Sequence, residues 1–192
     1  MFFIVSTGRS GTMTIADWLS RSLDCVCLHE PEPRLIAETA QYLYGIRDHG
    51  DMVDLLRRTR PTLPLKQEQQ YGESHHVLSY VIPALREAFP EAKFVWLIRD
   101  GRKVVASMFA RDWYSGKWFH RSPSVRQWEE WRIRGDYSGA MSRRDWLSLS
   151  RFEKCCWHWT YKNRLIEHQL AVTGATALTI HLENLGDRAD EL

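Results

Sequence analysis

Phe2-Phe3-Ile4-Val5-Ser6 runs directly into Thr7-Gly8-Arg9-Ser10-Gly11-Thr12, and then into Met13-Thr14-Ile15-Ala16-Asp17-Trp18-Leu19. The first five residues are a short, bulky apolar run of strand type. After the glycines, Ile15 and Leu19 recur at helical spacing. The segment therefore reads as a buried strand, a glycine turn and a helix, with the turn at the helix's amino end. Amides at a helix start have no intrahelical acceptor and sit at the positive end of the helix dipole, so such a turn takes an anion. Gly8 and Gly11 let the backbone approach a phosphate closely, while Arg9 and the hydroxyls of Ser10 and Thr12 add donors.

This cradle is not of the Walker type. That loop needs a lysine and a hydroxyl residue after its last glycine, to reach the terminal phosphates and a magnesium ion. Here Gly11 is followed by Thr12 and Met13, and no lysine precedes Lys66. An ordinary nucleotide kinase or ATPase is disfavoured.

Composition narrows the field further. At 192 residues the chain suits one domain spanning 1–192, and 44% hydrophobic and 12% aromatic content speaks against disorder. A formal net charge of +2 is too small to imply nucleic acid. Local basic clusters, Arg57/Arg58/Arg60 and Arg99/Arg102/Lys103/Arg111, suit a small anionic ligand instead. The four cysteines fall as Cys25/Cys27 and Cys155/Cys156, a poor disulfide framework. Cys25 and Cys27 read as buried strand residues more readily than as metal ligands with His29, so no metal is expected. With no signal peptide or transmembrane segment in the sequence, the expected location is cytoplasmic.

Along the chain, strand patterns at Val26–Leu28, Tyr71–Ser74, Lys93–Ile98 and Ala175–Leu182 alternate with helical patterns. The helices are expected at about Leu35–Tyr44, Met52–Arg58, Tyr80–Phe89 and Lys103–Arg111. A long amphipathic helix is predicted from the spacing of Leu149, Phe152, Cys156, Trp159, Asn163, Ile166 and Leu170. Alternating strands and helices give an α/β fold, a mostly parallel sheet flanked by helices. Residues 112–147, rich in Trp and Arg, read as an irregular insertion with short helical pieces. Its Trp113, Tyr114, Trp118, Phe119, Trp128, Trp131 and Trp146 suit either a local core or acceptor stacking, and Arg121, Arg126, Arg132 and Arg134 hint at an anionic acceptor.

Ligands of open α/β sheets bind outside the carboxyl ends of the strands. Arg99 ends the clearest strand, with Ser107 two helical turns beyond it, and this pair can hold a second phosphate. Together, Thr7-Gly8-Arg9-Ser10-Gly11-Thr12, the run Phe94 to Ser107 and His181-Leu182-Glu183-Asn184-Leu185 resemble three elements of the PAPS-dependent sulfotransferase family, where PAPS is 3′-phosphoadenosine 5′-phosphosulfate. The first looks like that family's 5′-phosphosulfate loop in its Arg-Ser-Gly-Thr version, the second like its 3′-phosphate motif. The resemblance implies a P-loop-like α/β domain and a PAPS donor held by Arg9, Ser10, Gly11, Thr12, Met13, Arg99 and Ser107, without a metal. It further implies in-line sulfuryl transfer to a hydroxyl or amine of a small-molecule or glycan acceptor, and family members usually continue beyond the point where this chain ends.

A transfer of this kind needs a base near the cradle. Glu30 ends the second strand at the sheet edge that carries Arg9, and the tyrosine-modifying branch of the family has its catalytic glutamate at a comparable separation. Glu32, His29, His75 and His76 are the competing candidates. Two other functions remain open from sequence: a PAPS- or PAP-binding protein without turnover (PAP being the 3′,5′-bisphosphate product of the donor), and a kinase-like phosphotransferase.

Overall fold

The structure, a computed structural model, describes residues 1–22, 25–60, 70–115 and 132–185. Five strands, β1 (Phe2–Ser6), β2 (Cys25–His29), β3 (Gln70–Ser74), β4 (Lys93–Ile98) and β5 (Ala177–His181), form one sheet in the order β2-β3-β1-β4-β5. All four pairings are parallel. The helices are α1 (Thr12–Ser22), α2 (Ile36–Leu43), α3 (His49–Thr59), α4 (Ile82–Ala88), α5 (Gly101–Ala110), α6 (Arg143–Ser148) and α7 (Arg151–Thr173). This is the parallel α/β architecture expected from the alternating pattern, and it is consistent with the P-loop-like domain that the resemblance implies.

β1 is central because both of its faces are covered. Successive side chains of a strand point to opposite faces. Ile4 packs with Ile15 and Leu19 of α1, Cys25, Cys27 and Leu97. Phe3 and Val5 pack on the other face with Met52 and Leu56 of α3, Leu85 of α4 and Ile166 of α7. Cys25 and Cys27 are accordingly buried core residues on one face of β2. From β1 the chain crosses to β2 on one side, and β4 then takes up the other side. The carboxyl end of β1 is thus the topological switch point, where open α/β sheets place their ligands.

Two elements differ from their sequence reading. The helix expected over Tyr80–Phe89 divides into a 3-10 segment, His76–Tyr80, and α4 beginning at Ile82. The break is held by one side chain of α7: Gln169 Oε1 accepts the Ile82 N–H at 3.0 Å, and its Nε2 donates to the Ser79 carbonyl at 3.2 Å. The long helix itself begins at Arg151, and its inward face is not the predicted stripe. Cys155, His158, Lys162, Ile166, Gln169 and Leu170 are buried, whereas Phe152 is 57% exposed. An apolar count misplaces this face because three of its inward residues are polar and each hydrogen-bonds to protein within the core. In the insertion, Trp113 and Trp146 are buried and Trp146 packs edge-on against Tyr114 and Trp157, so these aromatics build a local core. Trp118, Phe119, Arg121, Arg126, Trp128 and Trp131 lie outside the described residues. Among the described residues no helix is long and apolar enough to cross a membrane.

Candidate functional site

The turn between β1 and α1 is shaped by its own side chains. Gly8 and Gly11 have φ of +81° and +83°, and Arg9 between them has φ of +57°. Gly8 N–H donates to Ser6 Oγ, while the hydroxyls of Thr7 and Ser10 both donate to the Gly8 carbonyl. Ser10, expected to offer its hydroxyl to a ligand, is fully buried and uses it inside the turn. Its contribution is to hold the loop open, so that the backbone rather than the hydroxyl presents donors. Ile15 N–H closes on the Gly11 carbonyl at 3.0 Å. The amides of Thr12, Met13 and Thr14 therefore precede the helical ladder and sit at its positive end. Met13 itself points outward, 66% exposed, so it can serve only through its backbone. Gly11 is also required by packing, because a Cβ there would lie 2.8 Å from Leu182.

Behind the loop, α7 supplies a polar row that periodicity missed. His158 Nε2 lies 3.3 Å from the Thr7 carbonyl, and its Nδ1 lies 2.8 Å from the Tyr114 hydroxyl, which donates to the Ile133 carbonyl. Lys162 donates from Nζ to the His76 carbonyl at 2.7 Å, with the Tyr80 ring beneath it at 4.3 Å. Burial holds both His158 and Lys162 well below their usual protonation ranges. A His and a Lys four residues apart on one helix, with Gln169 two turns later, is the signal that marks this inward polar face.

The two anchors expected to act at opposite ends of a ligand are in fact joined. Arg9 Nε donates to Ser107 Oγ at 3.1 Å, and Arg99 Nη1 donates to the Arg9 carbonyl at 2.9 Å. Arg99 Nε is buried and makes no hydrogen bond. Burial and the neighbouring guanidiniums of Arg111 and Arg99 lower the Arg9 pKa, with Glu30 pulling the other way. Several guanidiniums gathered about one turn concentrate positive charge there, the arrangement that favours an anion. The arginines that flank it do other work. Arg60, grouped with a basic patch in the sequence, is buried and holds Glu73 through Nε at 2.5 Å and the Pro33 carbonyl through Nη2 at 2.8 Å. Arg102 pairs with Asp100, whose carboxylate caps α5. Glu183 accepts the Asp100 N–H at 3.2 Å and lies 3.7 Å from Lys103, tying the end of β5 to the start of α5.

Of the candidate bases, Glu30 stands where β2 ends, with φ of +49°. Left-handed backbone costs a non-glycine residue ~1–2 kcal/mol, so Arg9 and Glu30 are strained residues facing one site. The Glu30 carboxylate lies 3.5 Å from His76 Nδ1 and 3.8 Å from His29 Nε2, with about a quarter of its side chain exposed. His29 is fixed through Nδ1 on the Ser74 carbonyl. Glu32 faces outward, 75% exposed, paired with Arg34. His75 is fully buried and His76 nearly so, and burial pushes both well below the usual histidine range. Glu30, His75 and His76 also place three ligand-type atoms within 4.8 Å of one another. An apolar cleft of about 690 Å³ opens between α5 and α7, lined by Val105, Phe109, Phe152, Cys156 and Trp159. No residue of the β1–α1 turn lines it.

No curated protein matches the chain. Residues 74–156 match the model of the sulfotransferase family. The matched stretch contains His75, His76, Arg99 and Ser107, whereas the glycine turn and Glu30 precede it. β4, Arg99 and α5 lie inside that match and an all-parallel sheet surrounds it, so this part of the chain is similar to the sulfotransferase family.

Proposed function

We propose that this protein transfers a sulfuryl group from PAPS to a hydroxyl or amine, using Glu30 as the base. The observation that carries the reading is the convergence of Arg9, Arg99 and Ser107 on the turn at the end of β1, with Glu30 at the neighbouring strand end. A doubly phosphorylated nucleotide fits this donor set. The backbone amides of residues 9–13 and the Arg9 guanidinium suit the 5′ end, and Arg99 and Ser107 suit the 3′-phosphate. The buried, unbonded Nε of Arg99 supports this assignment, because an orphan donor of that kind costs ~1–3 kcal/mol until it is satisfied.

Bound there, the donor supplies the sulfuryl group and a bisphosphate leaving group. Arg9 and the loop amides stabilise the charge that develops on the leaving phosphate oxygen. Glu30 accepts the proton of the acceptor as its oxygen or nitrogen bonds to sulfur and the sulfur–phosphate oxygen bond breaks. The partial exposure of Glu30 favours it over His75, which no acceptor reaches without rearrangement, and over Glu32, which pairs outward with Arg34. His76 beside the Glu30 carboxylate positions it. The acceptor is taken to be a small molecule or glycan. The test is incubation with PAPS and a panel of hydroxylated acceptors. Sulfated product that disappears in Arg9→Ala supports the reading, and PAP binding without product from any acceptor supports a non-catalytic binder.

A further inference from the structure

Two strand ends bring an unusual trio together. Glu30 follows β2, His75 and His76 follow β3, and their ligand-type atoms lie within 4.8 Å of one another. The Glu30 Oε1 to His76 Nδ1 distance is 3.5 Å. Two atoms bound at ~2.0–2.1 Å to one tetrahedral ion are separated by roughly 3.4 Å, so this pair already stands at ligand spacing. His75 supplies an independent observation. It is completely buried, and neither Nδ1 nor Nε2 makes a hydrogen bond. Buried polar nitrogens are rarely left so. Two imidazoles and a carboxylate match the donor set that selects borderline transition cations over Mg²⁺ or Ca²⁺. The Glu30 carboxylate, about a quarter exposed, provides the route of entry.

We propose that Glu30, His75 and His76 form a binding site for a divalent transition cation of the Zn²⁺ type. The site uses three protein ligands and leaves a fourth position toward the side where Glu30 is exposed. Occupancy engages the same carboxylate that serves as base, so the cation acts as an inhibitor of transfer rather than a cofactor. This consequence rests on the proposed role of Glu30; the binding itself does not.

The experiment uses the full chain, titrated with Zn²⁺ by calorimetry in a non-chelating buffer and with Co²⁺ by visible absorption. The expected result is one saturable equivalent of Zn²⁺, no heat from Mg²⁺, and a cobalt spectrum without a thiolate-to-metal charge-transfer band. Glu30→Gln and His75→Gln are each expected to weaken binding at least tenfold. Because a change at buried His75 tests folding as well as ligation, Glu30→Gln decides, with circular dichroism verifying both variants. Absence of saturable Zn²⁺ binding, a thiolate band that places the ion on cysteines, or unchanged affinity in Glu30→Gln would each overturn the proposal. Binding is read without turnover, so failure of the transfer reaction and failure of this site remain separate results.

Discussion

Replacing Arg99 by alanine removes two interactions at once, and their sizes differ enough to be read apart. One is the assigned contact to a 3′-phosphate, a charge-assisted bond worth ~1.5–3 kcal/mol. The other is visible in the structure: Arg99 Nη1 donates to the Arg9 carbonyl at 2.9 Å and so steadies the strained residue between Gly8 and Gly11. A bond of that kind contributes ~0.5–1.5 kcal/mol net. A ligand carrying both phosphates, PAP, should therefore lose ~2–4.5 kcal/mol, roughly 30- to 2000-fold, since about 1.4 kcal/mol is tenfold. Adenosine 5′-phosphosulfate, which lacks the 3′-phosphate, should lose only the second part, roughly two- to thirteenfold. If the two anchors were independent, that ligand would not sense the change at all. Calorimetry of both ligands on wild type and Arg99→Ala measures the two losses. Equal losses would show that Arg99 shapes the loop without touching a phosphate, and an unchanged affinity for the 5′-only ligand would refute the coupling between the anchors.

Other outcomes follow from the same geometry. Glu30→Gln should leave PAP affinity within about twofold while lowering turnover on a confirmed acceptor by ~10²–10⁴-fold, as loss of a general base does; retained turnover with loss in His76→Gln would move the base to β3. Gly11→Ala forces a side chain onto φ of +83° and against Leu182, and should destabilise the fold by ~1–3 kcal/mol in urea melts, a cost that Leu182→Ala does not fully relieve because the backbone strain remains. His75, His76 and His158 are held neutral by burial, so between their lowered folded values and about pH 6.5 the unfolded chain binds more protons. The histidine contribution is full above that pH and falls as pH drops through the window, by up to ~4 kcal/mol per pH unit if all three act, while buried Lys162 adds a slope of the same sign that extends up to the free-lysine range. Unfolding midpoints measured from pH 7.5 to 5 should show this slope, and His158→Gln should reduce it; a flat profile would contradict the burial argument.

Much of the fold was legible because its signals are local. Phe2–Ser6 and Lys93–Ile98 are unmistakable apolar runs, each closed by a glycine turn, and Asp100 caps its helix through its own side chain. The residues of the loop were legible for the same reason, since Gly8 and Gly11 adopt the positive φ that favours glycine. What could not be read is tertiary. Ser10 looks like a ligand donor, yet its hydroxyl is spent on Gly8 and Thr7. Arg60 looks like part of an anion patch, yet Glu73, thirteen positions away on β3, claims it. The face of α7 was misplaced because His158, Lys162 and Gln169 are inward for the sake of carbonyls and an amide on distant elements, and no hydrophobic count marks them. The joining of Arg9 to Ser107 depends on where β1 and β4 lie in the sheet, which spacing along the chain does not encode.

The central claim is that the end of β1 and the end of β4 together form a metal-independent site for a 3′,5′-bisphosphorylated nucleotide. It is tested most directly by titrating PAP into the full chain in the presence of a chelator, with ATP and magnesium as the comparison. Saturable one-to-one binding of PAP, at least tenfold tighter than ATP with magnesium and lost in Arg9→Ala, is the result predicted by the Arg9–Ser107–Arg99 geometry. Binding that requires magnesium and prefers ATP would contradict it.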